Sequence, residues 1–368
     1  MNFSTTTKQL LNAVLMCEKI VGKKESLPVL SCIVFESKKN TVTIQATNLE
    51  STIKSVIPAQ VTTEGIIAIP AHVLSQTLRS IQGESITCMV EDENFVIKSQ
   101  KSHSVIKSIP HTEFPLLHSE TTVLDTNTIQ KDTLLSGIRS VVYAASPSMI
   151  RPELGSVCIL SNDSDFICVA TDSFRLAEKT IKQASVVENT EILIPLKYTL
   201  ELLHVLEHIE EDSIEWKVVE DSYIVFQGPR LYYSTRVVDG HFPQYKEIIP
   251  KDTNTEVVIL KDDFTDALRK ARIFSGVEQC VGFHVYPSRK IFTITAQSNE
   301  IGEMSDSVDA AITGEDIDIK FHISYLADCL SSIASDSITL TFAGVGRPVV
   351  IKGVSDASFR YLVMPLNR

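Results

Sequence analysis

No apolar run in this chain approaches the roughly 18 residues that a membrane-spanning helix needs. The opening Met1-Asn2-Phe3-Ser4-Thr5-Thr6-Thr7 also lacks the basic segment that begins a secretory signal. A cytoplasmic protein with no membrane partner is therefore expected. Its seven cysteines (Cys17, Cys32, Cys88, Cys158, Cys168, Cys280 and Cys329) are odd in number and show no CxxC spacing. Most lie in apolar stretches, which points to reduced core residues rather than a disulfide frame or a metal set. The GxSxG elbow, the phosphate-binding loop and the dinucleotide fingerprint are missing too, and Gly344-Val345-Gly346 reads as a turn. No catalytic residue, metal or cofactor is expected.

Two short patterns come nearest to chemistry. His204 and His208 stand four apart with Glu207 between them, but His-Val-Leu-Glu-His differs from the HExxH of zinc hydrolases, and a solvated helix face is expected. Asp163 and Asp165 fall in a Ser/Asn/Asp-rich hairpin turn.

What is present is the material of a large soluble core: 43% hydrophobic and 22% charged residues over 368 positions, enough for two or three domains. The net charge of −12 argues against a uniformly basic nucleic-acid binder. The charge is uneven, being balanced over residues 1–120 and acidic thereafter. An acidic outer surface with cations gathered on one face would repel a polyanion everywhere except at that face.

An internal repeat organises the chain. Val42-Thr43-Ile44-Gln45-Ala46-Thr47-Asn48, Phe166-Ile167-Cys168-Val169-Ala170-Thr171-Asp172 and Phe292-Thr293-Ile294-Thr295-Ala296-Gln297-Ser298 each read as a strand ending in a polar turn, with the alanines 124 and 126 residues apart. Ile69-Pro70 and Ile194-Pro195, 125 apart, open amphipathic helices with proline at the first helical position, and in the third copy Ser324 is expected to cap instead. Earlier in each copy lies another helical stripe: Leu10, Leu11, Val14 and Leu15; Leu134, Leu135, Ile138, Val141 and Val142; Phe264, Ala267, Leu268 and Ala271. Phe114-Pro115 and Phe242-Pro243 close the first two copies. The expectation is an α+β fold in three domains (1–120, 121–250 and 251–368), each with two helices packed on one face of antiparallel sheet.

Several segments give the chain a family likeness: Leu27-Pro28-Val29-Leu30, Ala170-Thr171-Asp172-Ser173-Phe174-Arg175-Leu176-Ala177, Val238-Asp239-Gly240-His241-Phe242-Pro243-Gln244-Tyr245, and Tyr361-Leu362-Val363-Met364-Pro365-Leu366. Their order within three repeats resembles the bacterial β sliding clamps, non-catalytic processivity subunits of the replicative DNA polymerase, and the likeness runs the length of the chain. It implies the DNA clamp fold as a head-to-tail homodimeric ring around duplex DNA, read without regard to sequence. It also implies partners: the polymerase catalytic subunit, the clamp loader, other DNA polymerases, and mismatch-repair or ligase proteins. Twelve helices at about 10 Å each would leave an opening of roughly 28 Å, and a duplex about 20 Å across passes through it.

Carried over position by position, the resemblance places partner-peptide binding at Leu154, Thr171, Ser173, Phe174, Arg175 and Leu176, at Pro243 and Ile248, and at Tyr325, Leu362, Met364, Pro365 and Leu366. Arg175 would orient the peptide and Met364 adapt to it. By pattern alone the alternating Leu362, Met364 and Leu366 also suit a half-buried strand. The family usually has glycine and histidine where this chain has Ser173 and Phe174. Lys8, Lys24, Arg79, Arg139, Lys197, Arg269 and Arg272 are the expected DNA-facing cations, although each would also suit a solvated helix face. Ile106, Ile273 and Phe274 are expected at the dimer contact, or else in an ordinary core, with Ser104 where a large aromatic can occur. A repeat-built α+β hydrolase and a clamp-like paralogue outside replication remain the alternatives.

Overall fold

A computed structural model describes residues 1–22, 27–115, 127–162, 165–182, 190–219 and 222–366. Every third of the chain opens with a short strand and a helix, continues through strands to a second helix, and ends in three strands. The helices are α1 (Thr7–Ile20), α2 (Ala71–Ser80), α3 (Lys131–Arg139), α4 (Leu196–His208), α5 (Lys261–Phe274) and α6 (Ile323–Asp328).

Local chemistry sets the helix starts. The Thr6 side chain accepts from the Gln9 N–H at 3.3 Å and donates to Gln9 Oε1 at 3.0 Å, an N-cap worth about 1 kcal/mol. Asp262 and Asp263 place negative charge in the first turn of α5. Proline behaves differently from the expectation: Pro70 and Pro195 end strands Gly65–Pro70 and Thr190–Pro195, one residue before their helices. There each still takes part in the sheet ladder, opposite Cys32 and Ser156. Ser324 is not a cap either, since its hydroxyl bonds to Gln279 Oε1. Helix α3 stops at Arg139, and Val142 lies in a 3₁₀ turn beyond it. Gly344 and Gly346, with φ of 109° and 81°, form the expected turn.

The chain divides into two compact units, and neither corresponds to a single repeat. Met1–Leu135 with Lys197–Asp239 holds two antiparallel sheets. Its five-stranded sheet runs Gln60–Thr63, Asn2–Thr6, Ser85–Glu91, Asn94–Lys98, His103–Lys107. The eight-stranded sheet runs Asn127–Gln130, Ser213–Val219, Tyr223–Gly228, Leu231–Arg236, Ser51–Pro58, Thr41–Thr47, Cys32–Lys38, Gly65–Pro70. Strands of the first and second repeats thus join at the ladder Leu231↔Ser55 to Thr235↔Ser51. Helix α1 turns Leu10, Ala13, Val14 and Cys17 inward, where burying one such leucine contributes about 2 kcal/mol.

The second unit, Ser136–Leu196 with Gly240–Arg368, repeats that design. Its nine-stranded sheet runs Thr190–Pro195, Ser156–Asn162, Asp165–Thr171, Arg175–Lys182, Asp356–Val363, Val349–Gly353, Ser337–Phe342, Thr255–Leu260, Ala310–Gly314. The second and third repeats join at Arg175↔Val363 to Lys179↔Phe359. A four-stranded sheet, Gly302–Ser307, Ile291–Ser298, Cys280–Tyr286, Ile317–His322, completes the unit. Phe283 packs on Phe264, Phe292 and Phe321 with ring centroids 5.4–5.9 Å apart, tying α5 to that sheet. All described cysteines are free thiols, six of them buried and Cys280 half-buried.

Candidate functional site

The strongest concentration of expected residues lies where the second and third repeats share their sheet. Thr171 ends one strand, and its buried hydroxyl donates to Arg175 O at 2.6 Å and accepts from Ser173 N–H at 3.2 Å. Asp172 Oδ1 accepts from the N–H groups of Phe174 and Arg175, both at 2.9 Å. This tight turn holds Ser173 at φ 78°, a left-handed conformation that costs an L side chain about 1 kcal/mol, and turns Phe174 out to 60% exposure. Leu176 is buried opposite Leu362 in the shared ladder. The Met364 N–H donates to Phe174 O at 2.8 Å, and Leu366 N–H to Lys320 O at 2.8 Å. The end of the chain is thereby strapped across two neighbouring segments, with Met364 and Leu366 exposed. Pro365 and Leu366 line a cavity of about 290 Å³ with Val345, Gly346, His284 and Lys320.

The Arg175 guanidinium is paired within the protein. Its Nε lies 3.0 Å from Asp172, Nη1 contacts Asp328, and the guanidinium sits 4.5 Å over the Tyr325 ring. Arg175 therefore ties the turn at Asp172 to Asp328 and Tyr325 of the third repeat. Tyr325, half-buried, also accepts from Tyr361 Oη at its carbonyl. Leu154 is buried and closes a turn by donating its N–H to Arg151 O. Pro243 and exposed Ile248 flank the turn Tyr245–Glu247, which is anchored by a 2.6 Å bond from Tyr245 Oη to Glu178 on strand Arg175–Lys182. Sequence reasoning missed exposed Met149 and Ile150, the latter at 91%. Two large apolar residues in a Ser/Pro loop were the available signal.

The expected DNA-facing cations are spread over the helices. Lys8, Arg79, Arg139, Lys197, Arg269 and Arg272 are all exposed, whereas Lys24 lies outside the described residues. Arg79 is 3.8 Å from Glu18, and Arg269 donates to Asp266 at 2.6 Å. Exposed Lys19 in the last turn of α1 and Lys270 in α5 were missed, although both lie on the helical patterns already recognised. Of the expected contact residues, Ile273 is 62% exposed, Phe274 is half-buried at the end of α5, and Ile106 is buried opposite Phe95 within its own sheet. Ser104 is half-buried on the same strand.

Two constellations depart from the expectation. Asp318, His284 and Thr295 form a carboxylate–imidazole–hydroxyl chain, with His284 Nε2 2.9 Å from Thr295 Oγ1. The strands carrying His284 and Thr295 are paired on both sides, so their N–H groups are committed to the ladder. On α4, His204 and His208 are half-buried, which corrects the solvated face expected there. Burial, and then His208, lowers the pKa of His204. Glu201, one turn earlier, is 3% exposed with no partner for Oε2, and burial pushes its pKa up to about 7. Asp163 lies outside the described residues, and Asp165 begins a strand paired with Asn162.

Three copies of a two-helix, antiparallel-sheet domain, joined through shared sheets, define the DNA clamp class. Family models for the N-terminal, central and C-terminal domains of the DNA polymerase III beta subunit match residues 1–118, 128–244 and 246–367. The chain is 26% identical to the beta sliding clamp of Bacillus subtilis and 24% to that of Proteus mirabilis, each aligned over the full length of both chains. The DNA polymerase III beta subunit of Thermotoga maritima superposes with a TM-score of 0.93 at 25% identity, covering 100% of this chain and 99% of that one. The chain belongs to the DNA polymerase III beta-subunit family, the bacterial sliding clamps, which are non-catalytic processivity factors.

Proposed function

We propose that two copies of this chain close into a ring around duplex DNA and tether the replicative polymerase, working in the cytoplasm. The segments 1–120, 121–250 and 251–368 each supply one clamp domain. The observation that carries this reading is the way the sheets are shared. Ser51–Pro58 pairs with Leu231–Arg236, and Arg175–Lys182 pairs with Asp356–Val363. By the repeat near 125 residues, the remaining members of this series are Gly302–Ser307 and His103–Lys107. Both are edge strands within the chain. A head-to-tail partner satisfies both edges and makes two more seams, and a heterologous contact that closes after two steps gives a ring rather than a fibre.

Ile273 and Phe274 of one copy, with the strand bearing Ile106 of the other, line that contact. The exposed helix cations Lys8, Arg79, Arg139, Lys197, Arg269 and Arg272, with Lys24, meet phosphate diffusely, and topology rather than affinity retains the DNA. The crevice at Leu154, Thr171, Ser173, Phe174, Leu176, Pro243, Ile248, Tyr325, Leu362, Met364, Pro365 and Leu366, braced by Arg175, receives an extended peptide with apolar side chains. Such peptides come from the polymerase catalytic subunit, the clamp loader, other DNA polymerases, and mismatch-repair or ligase proteins. The test is to load the protein onto nicked circular DNA and then linearise it. Retention on circles with loss from free ends is expected, and equal retention on both refutes the ring.

A further inference from the structure

Helix α4 places His204, Glu207 and His208 so that one ligand atom of each lies within 4.8 Å of the other two. Donors around a tetrahedral ion at about 2.1 Å stand about 3.4 Å apart, so small side-chain rotations bring all three onto one ion. The main chain has already set both rings. His204 Nε2 is 3.2 Å from the Leu15 carbonyl of α1, and His208 Nδ1 is 2.8 Å from the His204 carbonyl. A carbonyl oxygen only accepts, so in the neutral rings those nitrogens carry the protons, and the lone pairs lie on His204 Nδ1 and His208 Nε2. Imidazole ligands of metal sites are oriented in this way, by a carbonyl or carboxylate on the far nitrogen. The two rings stand 4.3 Å apart and are half-buried, while Glu207 is exposed and leaves a path from solvent.

We propose that His204, Glu207 and His208 bind one first-row transition dication, of the zinc or nickel type, with water completing the coordination. Two imidazoles and one carboxylate favour such an ion over calcium or magnesium, which take oxygen shells. The role is structural. His204 would hold the ion through one nitrogen and α1 through the other, fixing α4 against α1.

The test uses the full-length protein after chelator treatment. Zn²⁺ is titrated against a chromophoric indicator, and Co²⁺ is followed by its visible spectrum. One ion per chain is expected, with Co²⁺ bands free of thiolate charge transfer, so that ligation by the cysteines is told apart. His208→Gln and Glu207→Gln should each weaken binding, the former by at least about tenfold, while Cys280→Ser leaves it unchanged. The His208 ring bonds only within its own helix here, so His208→Gln should keep the fold, as circular dichroism can check. Absence of saturable one-to-one binding, a thiolate signature, or equal affinity in wild type and His208→Gln overturns the assignment.

Discussion

Replacing Glu201 by glutamine should stabilise the protein at alkaline pH and remove much of its pH dependence. The carboxyl is 3% exposed, its Oε2 lacks a hydrogen-bond partner, and burial raises its pKa to about 7 against the relieving effects of Ser51, Lys197 and Lys19. A carboxyl that titrates near 7 when folded and near 4.5 when unfolded is protonated in the native state at pH 5 and favours folding there. Stability then falls as pH rises from about 4.5 to 7, by about 3 kcal/mol, and is flat above. Glutamine keeps the shape without the charge, so Glu201→Gln should match wild type near pH 5 and exceed it by up to about 3 kcal/mol at pH 8. Urea unfolding at the two pH values, with the slope m checked for constancy, measures this. A variant that is less stable than wild type at pH 8, or that retains the full loss between pH 5 and 8, would show that the buried carboxylate is charged and satisfied, and the reasoning fails.

Three further outcomes follow from the crevice and the proposed ring. At Ser173, where φ is 78°, glycine should be more stable than alanine by about 1 kcal/mol, the reverse of their order in a helix; alanine equal or better in urea melts would contradict the strain. Met364→Lys, at an exposed position, should leave the unfolding midpoint nearly unchanged yet weaken binding of an apolar partner peptide at least about tenfold by fluorescence anisotropy, since a cation is driven into an apolar wall. Ile273→Asp should convert a particle of twice 40.8 kDa into a monomer in sedimentation at micromolar protein, and persistence of the dimer would remove α5 from the contact.

Much of the fold was legible because its signals are local. Apolar stripes at helical spacing and alternation in the strands recur near every 125 residues, and each copy forms the elements those patterns favour. The helix starts were read one residue early at Pro70 and Pro195, because a proline that ends a strand and one that opens a helix look alike in sequence. Within the crevice, the turn at Asp172 and the apolar tail were recognised through family likeness, while the demand of Asp328 on Arg175 was not, since those residues lie 153 positions apart.

By itself, then, the sequence determined the threefold repetition and the α+β class, both of which depend on residue types at short spacings. Tertiary structure alone decided how the strands are shared between repeats, and with that left Gly302–Ser307 and His103–Lys107 among the edge strands, the pair that the proposed ring joins. It also decided that Arg175 pairs with Asp172 and Asp328, that Glu201 is buried, and that the His204 ring meets the Leu15 carbonyl. These depend on groups brought together from distant parts of the chain, where low solvent access makes each pairing count and no local pattern records it.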